Sequence, residues 1–174
     1  MNPEDKIREV FSPLLQKDLI VYEDLLGALQ KIELDEIDIQ HLFSPDKHHP
    51  YGRKIIINTP KLEIMVASWN DNWRCAPHDH GDSISAILIL QGTSHHIGYS
   101  IEHNTLKVVF QEKKHVGEIL TCDPLQVHSM CSTGKAHLIT LHCYSSGIQK
   151  MVLYDQKQQQ TIIVPGECGA WLPV

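Results

Sequence analysis

The sequence predicts a mainly β protein, an antiparallel barrel or sandwich with a helical segment in front of it. Two observations carry that reading. From Tyr51 onward, short β-branched runs alternate with turn residues, and stretches 55–58, 62–69, 84–91, 94–100, 106–110, 118–121, 138–144, 151–154 and 161–164 read as strands. Ahead of them, residues 1–43 read as helical, with an apolar stripe through Leu25, Leu26, Ala28, Leu29 and Ile32. Asp18 is the expected N-cap of that helix, and 33–42 the expected short helix after it. A polar loop at 44–50, with prolines at 45 and 50, separates the two textures. Many short strands after a helical lead-in argue for one sheet face covered by helices.

Each part has a local reason. The Asn58-Thr59-Pro60-Lys61 stretch reads as a tight connection between the first two strands, and 156–160 as a polar hairpin turn. No repeat or low-complexity segment interrupts the chain. The expectation is a single domain over 1–174, with a helical lead-in at 1–43 and the barrel at 51–174.

Composition excludes several classes. The net charge of −6 and the lack of a basic run argue against nucleic acid or anionic membrane as partners. No run of about 18 apolar residues spans a bilayer. The charged N-terminus lacks the apolar core of a signal peptide, so the cytoplasm is the expected compartment. Five cysteines without a CxxC pair argue against disulfides and structural zinc. A monomer is compatible with the sequence, which carries no signal for an assembly.

The twelve histidines stand out. Pro77-His78-Asp79-His80-Gly81 places two imidazoles on one face of a strand, because residues i and i+2 point the same way. Pro124-Leu125-Gln126-Val127-His128 follows, where a proline-led turn can deliver a third imidazole from a distant strand. Three imidazoles leave coordination positions open, as a catalytic metal requires. Thr140, His142 and Tyr144 alternate onto one strand face, where hydroxyl, imidazole and phenol can form a hydrogen-bonded chain. The bland reading of His142 and Tyr144 is a satisfied core pair. Trp69 reads as barrel packing. The neighbouring pairs His48-His49 and His95-His96 read as solvated. Cys75 reads as a residue of the site entrance, and Cys143 as a buried inert thiol facing away from Thr140, His142 and Tyr144.

The HxH pair followed by Gly92 resembles the first motif of the cupin superfamily, a jelly-roll-like antiparallel β-barrel. Ser85 stands where that motif has a glutamate ligand. Gly117, Pro124 and His128 match the second motif loosely. A cupin with three histidines and no glutamate resembles the thiol dioxygenases, cysteine dioxygenase above all. Tyr51-Gly52-Arg53 matches that family's Tyr-x-Arg, Trp69 precedes His78 at the family's spacing, and Thr140-x-His142-x-Tyr144 matches its Ser-x-His-x-Tyr.

The resemblance covers about residues 51–150. It implies Fe(II) on His78, His80 and His128, and a small thiol and O2 as substrates. It implies substrate binding by Arg53 and Tyr51, with the Arg53 guanidinium on a carboxylate, and catalytic roles for Tyr144, His142 and Thr140. L-cysteine would become cysteine sulfinic acid, both oxygen atoms ending on sulfur. Vertebrate members carry a cysteine at the Ser85 position, cross-linked to the tyrosine matching Tyr144; serine has no sulfur to form that link. Dioxygenases of 3-mercaptopropionate typically have glutamine where Arg53 stands. A non-catalytic metal-binding cupin is the reading from a different class.

Overall fold

The computed structural model describes residues 2–103, 105–155 and 160–172. Three helices come first: α1 (Pro3–Phe11), α2 (Tyr22–Leu29) and α3 (Ile39–Leu42). Short 3-10 turns follow α1 at Ser12–Gln16 and α2 at Leu34–Glu36. Asn2 caps α1, its side chain accepting from the Glu4 amide at 3.1 Å. Asp18 does not cap α2. The helix starts after Val21, whose amide donates to the Asp24 carboxylate at 3.1 Å. An acid in the first turn closes that end from inside, so no N-cap side chain is required.

Eleven strands follow: β1 (Tyr51–Asn58), β2 (Glu63–Trp69), β3 (His78–Asp79), β4 (Ile84–Gln91), β5 (Thr93–Glu102), β6 (Thr105–His115), β7 (Ile119–Cys122), β8 (Val127–Thr133), β9 (Ile139–Ser145), β10 (Lys150–Asp155) and β11 (Gln160–Pro165). They form two sheets with orders β1-β2-β9-β4-β7 and β11-β10-β3-β8-β5-β6. Every pairing among the described strands is antiparallel. The expected mainly β barrel with an N-terminal helical segment is therefore the observed fold. The expected turn at 156–160 falls mostly on residues 156–159, which lie outside the described residues.

The first sheet is covered on both faces, and strand alternation sorts its side chains. Ile64, Val66, Ala86, Leu88, Leu141 and Cys143 pack with Ile7, Phe11, Leu25 and Leu29 of the helices. The alternate residues Met65, Ala67, Trp69, Ile87, Ile89 and Tyr144 turn inward to meet Met130, Met151 and Leu153 of the second sheet. All seven residues of β2 are buried for that reason. Such a strand reads as a continuous apolar run instead of an alternating one.

Gly92 turns the chain from β4 in the first sheet to β5 in the second at φ +80°, and a Cβ there would meet the His137 carbonyl oxygen at 2.7 Å. Glycine is the residue that fits both constraints.

Leu25 is fully buried against the helix-facing side of the sheet. Leu25→Ala should cost about 2–5 kcal/mol. Thermal denaturation should show a melting point lower by roughly 4–20 °C for a chain of this size. An unchanged melting point would mean that the helical segment contributes nothing to the fold.

Candidate metal centre

Two strands and a turn bring the predicted ligands together. β3 lies between β8 and β10, and His78 pairs directly with His128 across β3–β8. Asp79 faces away from them, accepting from the Gly81 amide at 2.9 Å and the Tyr154 hydroxyl at 3.0 Å. Gly81 takes φ +60°, which lets the chain turn just after His80. The Gly81 carbonyl in turn accepts from the Leu125 amide at 2.9 Å, tying this turn to the one that delivers His128. Leu125 sits at φ +61°, between Asp123 and Gln126 of a hydrogen-bonded turn, with Pro124 before it.

The three imidazoles converge. His78 Nε2 lies 3.1 Å from His80 Nε2, and His80 Nε2 lies 3.3 Å from His128 Nε2. Each residue is 6% exposed or less. Burial pushes all three down from the usual histidine range, His78 to about 4 and the other two further, so they are neutral. The proton on His78 can be placed. Its Nδ1 is 2.8 Å from the Ala76 carbonyl, which only accepts, so Nδ1 carries the hydrogen and Nε2 is a bare lone pair. Neutral lone-pair nitrogens at this spacing fit cis ligands on one metal ion, whose nitrogen bonds are about 2.0–2.2 Å. The residues present therefore fit the metal that the sequence implies.

Beside this cluster runs a second chain of polar groups on β9. Trp69 Nε1 donates to Thr140 Oγ1 at 2.9 Å, Thr140 Oγ1 is 2.8 Å from His142 Nε2, and His142 Nδ1 is 2.8 Å from the Tyr144 hydroxyl oxygen. All are buried, and burial lowers His142 to about 3, so its ring is neutral with one donor and one acceptor. Trp69 can only donate. In the tautomer in which the Thr140 hydroxyl donates onward to His142 Nε2, the chain runs one way. His142 Nδ1–H donates to the Tyr144 oxygen. The tyrosine hydrogen is left over, on a ring 4.8 Å from that of His80. Burial holds the phenol well above its usual range, so it remains a donor. Trp69, read as packing, is thus also the start of this chain.

Ser85 pairs directly with Tyr144 across β4–β9 and with Cys122 across β4–β7. No sulfur stands at position 85 to meet the phenol.

Tyr51 and Arg53 lie on β1, at the end of the barrel closed by the C-terminal segment. The Tyr51 hydroxyl accepts from the Ala170 amide at 2.9 Å, and its ring packs on Trp69 and Trp171. All five N–H groups of Arg53 have partners inside the chain. Nη1 reaches the carbonyls of Glu167 and Cys168, and Nη2 those of Gly166 and the Glu63 carboxylate at 3.2 Å each. Nε meets Met65 Sδ at 3.4 Å. Burial raises Glu63 while Arg53 opposes the shift.

Two expectations need correction. Cys75 does not line an entrance. It is buried behind His78, its sulfur accepting from the Met130 amide at 3.2 Å, and burial pushes its thiol up to about 12. His96 is not solvated. It is fully buried, with Nε2 2.8 Å from His128 Nδ1. Alternation allows only one of two neighbouring histidines to face solvent, so β5 carried the signal in its own period. His95 takes the outer face, 3.2 Å from Arg74.

A family model described as cysteine dioxygenase type I matches residues 10–157. The chain belongs to that family. Solved structures agree on the fold. An uncharacterised conserved protein with a double-stranded β-helix domain from Klebsiella pneumoniae is 16% identical, with a TM-score of 0.55 over 70% of this chain and 88% of that one. An oxalate oxidase structure is 13% identical, with a TM-score of 0.52 over 63% of this chain and 59% of that one. The cysteine dioxygenase family match thus rests on the sequence, and the cupin-type barrel on both. No helix among the described residues is long and apolar enough to cross a membrane.

The buried neutral histidines make acid stability testable in the metal-free protein. His78, His80, His96, His128 and His142 all have folded values below the ordinary 6.5. The unfolded chain therefore binds more protons, and stability present above pH 6.5 is lost as pH falls toward 4. Each such histidine steepens the loss by up to about 1.4 kcal/mol per pH unit. Denaturant melts of metal-free protein should show a steep fall between pH 6.5 and 5, above the range of most carboxylates. Stability independent of pH across that interval would contradict the burial of neutral imidazoles.

Proposed function

We propose that the protein is an Fe(II)-dependent thiol dioxygenase that oxidises L-cysteine with O2 to cysteine sulfinic acid. The supporting observation is the juxtaposition of three buried, neutral, converging imidazoles with a tyrosine hydroxyl oriented by His142 and Thr140, in a chain of the cysteine dioxygenase family. Held by His78, His80 and His128, Fe(II) would supply open coordination positions for thiol and O2 and lower the thiol's pKa.

The chain's own residues do the rest. Tyr144 donates its hydrogen to an anionic oxygen of the substrate, either on the oxidised sulfur or on the carboxylate. His142 holds the phenol oxygen from behind, and Thr140, anchored by Trp69, holds His142. The apolar surroundings of Met65, Ile87, Met130 and Leu153 exclude water from the reacting sulfur. The balance is thiolate plus O2 giving sulfinate: two sulfur–oxygen bonds form, the O–O bond breaks, and sulfur loses the four electrons that oxygen gains.

Arg53 is the proposed partner of the substrate carboxylate, through charge-assisted, fork-like hydrogen bonds. To make them, the carboxylate would take the place of the carbonyl oxygens of residues 166–168. The engagement of all five donors favours a second reading, in which Arg53 is a structural clasp and the substrate is another small thiol such as 3-mercaptopropionate.

A screen of thiols for sulfinate product, with anaerobically loaded Fe(II) and measured oxygen uptake, tests the function. Cysteine should give sulfinate with one O2 consumed per thiol, and absence of sulfinate from every small thiol would refute the assignment. Arg53→Ala separates the two readings. As a carboxylate clamp, its loss should lower kcat/KM for cysteine by roughly ten- to a hundred-fold. Cysteamine, which lacks the carboxylate, should be a poor substrate that is indifferent to the substitution. Equal losses on both substrates would make Arg53 structural.

A further inference from the structure

His128 is the ligand whose second nitrogen faces another imidazole. Its Nδ1 lies 2.8 Å from His96 Nε2, and the two rings are nearly perpendicular at 84°. On the far side, His96 Nδ1 lies 3.3 Å from Glu112 Oε1, its directly paired neighbour across β5–β6. His96 is fully buried, whereas the Glu112 side chain is 39% exposed and also meets Lys114 at 3.2 Å. Phe110 covers the His96 ring edge-on at 5.3 Å. Gly98 makes room for it, since a Cβ there would fall 2.0 Å from the Phe110 ring.

His96 and His128 with Cys122 could be read as a second metal site, because their donor atoms also cluster. The distances argue otherwise. Two nitrogens bound to one tetrahedral ion at about 2.0–2.1 Å lie roughly 3.3 Å apart. The observed 2.8 Å is instead a hydrogen bond, and Cys122 Sγ stands off at 3.6 and 4.0 Å from the two nitrogens.

Hydrogen placement then has one solution. With Nε2 of His128 presented to the shared point as a lone pair, its hydrogen is on Nδ1 and donates to His96 Nε2. His96 must therefore carry its own hydrogen on Nδ1, where the Glu112 carboxylate accepts it. Every donor in the chain faces an acceptor. We propose that Glu112 and His96 form a carboxylate–imidazole relay that locks the tautomer and ring orientation of His128, making His96 a positioning residue of the metal centre. His78 gets the same service from a backbone carbonyl, which is neutral. Among the described residues, His128 is the one of the three seen tied through a side chain to a negative charge at the surface, which makes it more basic than His78. The inference rests on the proposed metal site, but not on the choice of substrate.

The test is metal affinity, measured anaerobically with Co(II) against a chromophoric chelator, together with the melting point of the metal-free protein. His96→Leu removes the acceptor at similar bulk, His96→Gln keeps both an acceptor and a donor, and Glu112→Gln removes only the charge. Loss of such an outer partner costs about 10- to 100-fold in affinity, which is the drop expected for His96→Leu. His96→Gln should recover most of it, and Glu112→Gln should show a smaller loss at an unchanged melting point. His96→Leu binding Co(II) as wild type does would overturn the relay, and so would leucine and glutamine variants that are equally weak. If His96→Leu does not fold, Glu112→Gln decides: weaker binding supports the relay and unchanged binding refutes it. Failure of the wild type to bind Co(II) would instead remove the metal site itself, and the relay with it.

Discussion

The structure depends on keeping a set of imidazoles neutral and aimed at one point inside a buried barrel interior. Burying a charged histidine would cost far more than the fold can spare, so desolvation holds His78, His80 and His128 as neutral bases. Neutrality fits them to bind a metal, but it also leaves each ring with one hydrogen that needs a partner. The Ala76 carbonyl takes it for His78, and His96 for His128. The site is therefore built from behind as much as from in front, and His96 is as buried as the histidine that it supports.

The two-sided first sheet makes such a polar interior possible. Its outer face is sealed by the helical segment through Leu25, Leu29, Phe11 and their neighbours, so apolar burial there supports the fold without help from the inner face. The inner face is then free to carry Thr140, His142 and Tyr144 beside Met65 and Ile87. These groups are tolerated because each is satisfied by the next, ending in the phenol beside His80. One strand, β9, thus serves both roles: Leu141 and Cys143 face the helices, and His142 and Tyr144 face the site.

Much of this was legible because it follows strand period. His78 and His80 share a face and Asp79 does not; the same rule separates His142 from Cys143. What was missed has physical reasons too. β8 reads as Val-His-Ser-Met-Cys-Ser-Thr, a polar string whose burial comes from partners far away in the chain, so it did not announce itself as a strand. Its neighbour β5 hid His96 in a pair of histidines, of which alternation requires one to turn inward. The start of α2 was misplaced because Asp24 closes the helix from its first turn, which makes a cap at Asp18 unnecessary. The carbonyl partners of Arg53 come from residues 166–168, more than a hundred positions away, and no local pattern encodes that contact.

The central claim is that three histidines on β3, its following turn and β8 hold one metal ion. It is tested most directly by iron retained after anaerobic loading and desalting, for wild type and His80→Ala, with the fold of each checked by circular dichroism. The account predicts about one iron per wild-type chain, bound through the three imidazoles, and little in a folded His80→Ala variant. Full iron in the variant, with activity intact, would contradict it.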